Sequence, residues 1–245
     1  MLDTVNLPIS EITTETLRNY LAEYKTNSSA GMVTIDNIRR TLSSFFAWLE
    51  NEDYIIKSPV RRIHKVKTTR RVKETLTDEN LEKLRDTCSN VRDLAILELL
   101  ISTGMRVGEI TRLNISDINF QERSCIVLGK GNSEREVYFS AKSKIYIKKY
   151  LETRTDNNEA LFVSLIKPYN RLGISGIEIL IRNLGKEANI KKVHPHKFRR
   201  TMATMAIDKG MPIEQVQKLL GHIKIDHYAM VNQNNVKISH RKYIG

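Results

Sequence analysis

The sequence predicts a mainly α-helical fold with one small antiparallel β-sheet, an α+β chain in two parts. Three observations carry this. Helix-spaced apolar stripes occupy both ends of the chain, strand-like runs are concentrated at residues 115–139, and a basic, proline-containing stretch at 57–74 separates an N-terminal helical part from the rest. With 40% apolar and 28% charged residues among 245, there is enough material for a sizeable core.

The first helix is expected over about 13–25, capped by Thr13 or Thr14, with Leu17, Tyr20, Leu21 and Tyr24 at helical spacing. A polar turn at 27–31 follows. Thr34 is then expected to cap a helix to about Glu52, whose stripe of Ile35, Ile38, Leu42, Phe45, Phe46 and Leu49 is arranged around Trp48. A short third helix is expected near 57–63. Beyond the basic stretch, TDEN at Thr77 suits a helix start, 91–102 reads as a strongly apolar helix closed by Gly104, and 106–113 as a short one. Strands are expected at 115–120, 125–128 and 136–139, with Gly129-Lys130-Gly131-Asn132 as hairpin punctuation. Helices return at about 141–153, 174–188, 196–208 and 212–220, with a short strand at 161–164. The tail from Val231 is polar.

A membrane-spanning protein is excluded, because the longest near-apolar run, 94–101, falls far short of the roughly 20 residues a bilayer requires. The opening MLDTVNLPIS has neither a basic n-region nor an apolar h-region, so a cytoplasmic protein is expected. Cys88 and Cys125 lack metal-ligand spacing, so neither a disulfide scaffold nor a metal site is indicated.

Forty Lys+Arg against 28 Asp+Glu give a formal net charge of +12. The excess is concentrated. Residues 57–73 hold eight basic side chains and no acidic one, and 182–200 hold seven against Glu187 alone. Runs like these often serve only as solvated faces, but two of them in one basic chain make nucleic acid the leading partner.

Four short motifs stand out. TGMRVGE places Arg106 and Glu109 at i,i+3 on one face of a helix start; taken singly, this reads as a surface ion pair. HPHKFRRT puts His196 and Arg199 on a shared face in a density of cations that calls for an anion nearby. LLGH ends an apolar helix with Gly221 and His222, and Lys130 sits in the hairpin turn. Each has an ordinary structural explanation alone.

Their order does not. Arg in TGMRVGE, Lys in GKGN, His-x-x-Arg in HPHKFRRT, then LLGH and a tyrosine together resemble the tyrosine recombinase (phage and transposon integrase) family over nearly the whole chain. The resemblance implies a partial, N-terminally truncated core-binding domain at 1–63, a basic linker at 64–74 and a catalytic domain at 75–245. It implies an enzyme that cuts and rejoins DNA through a 3'-phosphotyrosine link, integrating or excising a mobile element. Such chemistry needs a nucleophile, a proton acceptor, stabilisation of charge on a pentavalent phosphorus and a proton for the 5'-oxygen. Arg106, Arg199 and His222 would bind the phosphate, His196 would assist tyrosine deprotonation, Lys130 would be the general acid, and Glu109 would orient Arg106. No cofactor and no metal are implied. Expected partners are double-stranded DNA, three further copies of a chain that is monomeric without DNA, and an accessory directionality protein. A bacterial or phage-encoded, nucleoid-associated protein is expected. Arg39, Arg40, Arg61, Arg62, Lys65, Lys67, Lys197 and Arg200 are expected to face DNA. A non-cleaving DNA-binding protein of the same fold and a type IB-like topoisomerase are the alternatives.

The nucleophile is expected to be Tyr228, with Tyr243 second. Tyr228 lies six residues after His222, whereas the family usually has nine. Three residues span about 10 Å when extended and about 4.5 Å in a helix, enough to matter for reach. A true deletion and an omitted mobile stretch both account for the shortfall, and the second is the expectation.

Overall fold

The computed structural model describes residues 7–66, 74–129, 134–221 and 233–244. The chain divides into two compact units that meet in sequence at Val72 and Lys73.

The N-terminal unit is built on helices α1 (Thr14–Ser28) and α2 (Met32–Asn51). Thr13 caps α1, its hydroxyl accepting from Thr16 N at 3.2 Å, and Ser29 ends the helix in the left-handed region at φ 52°. Helix α2 starts earlier than Thr34 would place it. Gly31 is the N-cap, and its carbonyl accepts from Thr34 N at 2.9 Å, so Thr34 lies within the first turn. Leu17, Leu21, Leu42, Phe46 and Leu49 make the core, but Trp48 is not its centre. Half exposed, it leans instead on Phe45 and Tyr54 with ring centroids 6.2 and 5.8 Å away. The expected third helix is a 3-10 turn, Pro59–Arg62, whose Val60 joins the core. The segment after α2 packs back on the pair: Thr14 Oγ1 donates to Pro59 O at 2.7 Å, and buried Asp36 accepts from Val66 N at 3.2 Å and Arg39 Nε at 2.9 Å.

The second unit forms around α4. Helix α3 (Asp78–Thr87) is capped by Thr77, and α4 (Val91–Thr103) by Asn90. Because α4 is apolar on nearly all sides, it must lie inside. Ala95, Ile96, Leu97, Leu99 and Leu100 are fully buried, each large side chain stabilising the fold by about 1.5–3 kcal/mol relative to exposure. Buried Glu98 is neutralised by Arg85, whose Nη2 donates to it at 3.3 Å and whose Nε also bonds it. Helix α5 is a single turn, Val107–Ile110.

The sheet follows in the order β1 (Ile118–Asn119), β2 (Ser124–Leu128), β3 (Glu134–Tyr138), all antiparallel, with Ser124 opposite Tyr138 and Leu128 opposite Glu134. The first strand is shorter than its apolar pattern suggests. Asp117 accepts from Asn114 N at 2.8 Å and tightens 115–117 into a 3-10 turn. Helices α6 (Ala141–Glu152), α7 (Ile174–Glu187), α8 (Pro195–Asp208) and α9 (Ile213–Leu220) complete the body. The strand expected at 161–164 is reduced to isolated bridges, Asn114 with Ala160 and Val163 with Arg171.

The tail is a helix, not merely polar chain. In α10 (Gln233–Tyr243), Val236 and His240 are buried among Tyr138, Met202 and Leu219. Its two inward residues lie four apart, which hides a narrow apolar face in an otherwise polar sequence. Among the described residues no helix is long and apolar enough to cross a membrane, and no group of His, Cys, Asp and Glu is arranged to hold a metal ion.

Candidate active site

The site begins where α4 stops. Gly104 takes the left-handed conformation at φ 58°, turning the chain sharply so that Arg106 becomes the N-cap of α5. One turn on, Glu109 reaches back. Its carboxylate accepts from Arg106 N at 2.9 Å and from Arg106 Nη1 at 3.0 Å. Glu109 is buried, while the Arg106 side chain is 37% exposed, so the pair is an anchored cation facing outward. It is not an ordinary surface ion pair.

Arg199 approaches from α8. Pro195 at the first helical position starts that helix, with its fixed φ and missing N–H suited to the place. Arg199 Nη1 donates to Gly104 O at 2.8 Å, and Nη2 donates to Leu220 O at the end of α9. Its partners are backbone carbonyls, and among the described residues no carboxylate bonds it directly. Burial pushes the Arg199 pKa down to about 10, helped by the neighbouring charges of Arg106 and Arg135 and opposed by Glu109. It stays protonated at neutral pH.

Arg135 on β3 is the residue that motif reading missed. It clamps Glu109 with two parallel bonds, Nη1 to Oε1 at 2.8 Å and Nη2 to Oε2 at 2.7 Å. Desolvation alone would raise the Glu109 pKa, but the hydrogen bonds and charges of Arg135 and Arg106 outweigh it and hold the carboxyl below its ordinary range. The available signal was an arginine within a strand, five residues after Lys130. Three guanidinium groups thus surround one carboxylate. The excess positive charge, partly buried, suits an anion with two or more oxygens.

His196 is exposed at the start of α8, its ring 6.5 Å from that of His194. It precedes Arg199 by one turn, as the spacing predicts. Lys130, His222 and Tyr228 lie outside the described residues, as does Lys67. In sequence, strands β2 and β3 flank Lys130, and Gly221 immediately precedes His222. The full sequence runs unbroken from His222 to Tyr228, so the expectation of an omitted stretch is set aside and the six-residue interval belongs to this chain. Tyr243 is displaced from the cluster. A Cβ on Gly210 would lie 3.8 Å from its ring, beyond the C-terminal end of α8, while Arg199 sits in the second turn, roughly 15 Å away by helical rise.

The residues expected to face DNA divide. Arg40, Arg62 and Lys65 are exposed, and Arg61 is exposed while paired with Glu50 at 2.6 Å. Arg39 is committed to Asp36. Lys197 is only 6% exposed and its ammonium donates to Lys191 O at 3.4 Å, which places it under the surface. Arg200 Nη2 donates to Glu74 O at 3.4 Å and ties the start of the unit to α8.

Residues 74–235 match the Phage integrase family. Tyrosine recombinase XerC of Oceanobacillus iheyensis is 34% identical over 217 residues, covering 82% of this chain and 71% of that protein. The crystal structure of XerA recombinase superimposes with a TM-score of 0.59 at 28% identity, covering 97% of this chain and 85% of the other. A lambda integrase tetramer bound to a Holliday junction shares the fold, with a TM-score of 0.72, 20% identity, and coverage of 92% and 69%. No topoisomerase resemblance is favoured over these recombinases. The chain belongs to the phage integrase family and is a tyrosine-type site-specific DNA recombinase.

Proposed function

We propose that Arg106 and Arg199 bind the two non-bridging oxygens of a scissile DNA phosphate while Tyr228 attacks the phosphorus. The observation that carries this is the cluster of three arginines around Glu109, with Arg199 held on two carbonyls and Arg106 held outward. The fixed cations stabilise charge as it builds on phosphorus without first reorganising. A tyrosine hydroxyl has an ordinary pKa near 10, and a cationic pocket favours its phenolate.

In the forward step the Tyr228 oxygen bonds to phosphorus and the bond to the 5'-oxygen breaks. His196 assists removal of the phenol proton, Lys130 supplies a proton to the 5'-oxygen, and His222 adds a hydrogen bond to the phosphate. The energy of the broken ester is retained in the phosphotyrosine. Attack by a 5'-hydroxyl of another duplex reverses the chemistry and releases Tyr228, so no external energy source is consumed.

The substrate is double-stranded DNA, gripped by the exposed cations Arg40, Arg61, Arg62 and Lys65 with Lys67 beside them. The N-terminal unit is a core-binding domain, and the rest a catalytic domain. Exchange between two duplexes requires paired cleavages, hence a tetramer on DNA assembled from monomers. The lambda integrase tetramer on a Holliday junction supports that reading. Action on chromosomal DNA places the protein in the cytoplasm, at the nucleoid, where a directionality protein would bias integration against excision.

The test mixes the protein with two duplexes carrying the DNA that borders its gene. Joined product is expected from the wild-type chain and none from Tyr228→Phe. Binding without cleavage by the wild-type chain would instead establish a non-cleaving DNA-binding protein.

A further inference from the structure

We propose that Arg135 is a positioning residue for strand cleavage, one that acts through Glu109 and the end of α9 without touching the phosphate. The inference rests on the phosphate-binding reading of Arg106 and Arg199.

The geometry singles out Arg135 because its guanidinium joins two separate parts of the site. The two Nη atoms hold the two oxygens of Glu109 at 2.8 and 2.7 Å, and Nε donates to Leu219 O at 3.3 Å. The backbone runs from Leu219 through Leu220, whose carbonyl takes Arg199, to Gly221 and His222. Toward its N-terminus, β3 leads back in five residues to Lys130. One largely buried side chain therefore links the strand that follows Lys130, the carboxylate that holds Arg106 and the helix end that holds Arg199.

Gly221 records how close this passage is. A Cβ there would stand 3.0 Å from Arg135 Cδ and Nε and 3.1 Å from Cζ, in a residue that already sits at φ 63°. Glycine leaves the lane through which the arginine stem runs.

There is also an electrostatic reason for a second arginine. Glu109 alone beside Arg106 would cancel much of the charge meant for the phosphate. With Arg135 bonded to both oxygens, the carboxylate is balanced from behind, and Arg106 keeps its orientation together with its outward field. Arg135 itself is 13% exposed and each of its three guanidinium nitrogens bonds within the protein, so it is placed to organise the site and not to meet DNA.

The experiment measures single-turnover cleavage of a nicked duplex, DNA affinity by gel shift and melting temperature for the full chain and for Arg135→Gln, Arg135→Lys and the double variant Arg135→Gln with Glu109→Gln. Arg135→Gln is expected to cleave about 30-fold more slowly or worse, with DNA affinity within about 3-fold of wild type. Arg135→Lys, which keeps the charge and one bond, should recover part of the rate. In Arg135→Gln the buried Glu109 loses its strongest partner, so its proton affinity rises and the acid limb of the cleavage profile moves to higher pH. That shift should be absent in the double variant.

Wild-type rates and an unmoved profile in both single variants would overturn the inference alone. A parallel fall in melting temperature, DNA affinity and rate, unrepaired by Arg135→Lys, would show a merely structural residue and overturn it too. Failure of the wild-type chain to cleave would overturn the phosphate-binding reading and this inference together.

Discussion

Arg199 Nη1 donates to the carbonyl of Gly104 at 2.8 Å. The glycine that ends the central apolar helix thereby fixes the second arginine of the site beside the first, two residues from Arg106. The site is consequently a property of the core: α4 is buried almost throughout, and its last turn sets where both guanidinium groups stand.

Arg199→Lys should therefore be far from conservative. An ammonium on a single carbon stem cannot hold two carbonyls and present a flat pair of donors to a phosphate. Single-turnover cleavage should fall by about 100-fold, while gel-shift affinity changes little. A rate close to wild type would remove Arg199 from the proposed charge stabilisation.

Gly104 and Gly221 should both resist alanine. Each has positive φ, 58° and 63°, where a Cβ costs about 1–2 kcal/mol. At Gly104 the Cβ would also meet the methyl end of Met202 at 2.5 Å, a flexible group that can move aside. Urea melts should show both variants destabilised by about that amount. Both should also slow cleavage beyond the loss of stability, Gly221→Ala by pressing on Arg135 and Gly104→Ala by disturbing the carbonyl that holds Arg199.

His240 makes tail docking sensitive to acid. Its ring is fully buried, Nε2 donates to Ser102 O at 2.9 Å, and Nδ1 has no partner among the described residues. Burial is the main cause that pushes its pKa down to about 4. An unfolded histidine titrates near 6.5, so between those values the unfolded chain binds more protons than the folded one. The stabilisation is fully present above about pH 6.5 and is lost as pH falls toward 4, to a total of about 3 kcal/mol. Melting temperature against pH should drop steeply over that interval in the wild-type chain. The drop should be shallower in His240→Phe.

Exposed and buried cations should part company in DNA binding. Neutralising Arg40, Arg62 and Lys65 together should reduce the slope of log affinity against log salt by about 3, near one unit per phosphate contact. Lys197→Met should leave the slope alone and lower stability instead, because that ammonium caps the carbonyl of Lys191. An unchanged slope in the triple variant would move the DNA-facing surface elsewhere.

Much of this was legible in the sequence because period and punctuation are local. The apolar run closed by Gly104, the proline start of α8 and the strands flanking the lysine turn all follow from residue order. Where tertiary contacts decide, the sequence is silent. Trp48 fits the helical stripe of α2 yet lies on its edge, half exposed. The tail looks polar because, among its described side chains, the buried ones are Val236 and His240, one turn apart. Arg135 is one arginine among many until folding brings Glu109, 26 residues earlier, under its guanidinium. Lys197, read as a surface cation, is under the surface because α8 turns that side inward.

The central claim, that this arginine cluster activates a phosphate for attack by Tyr228, is tested most directly by trapping. A nicked substrate that loses its 5'-end on cleavage would capture the covalent intermediate, and trypsin would then separate the two C-terminal tyrosines, since cleavage after Lys224, Lys237 and Lys242 puts Tyr228 and Tyr243 on different peptides. The account predicts DNA on the peptide spanning 225–237, abolished by Tyr228→Phe. Adduct on the Tyr243 peptide, or DNA bound without any adduct, would contradict it.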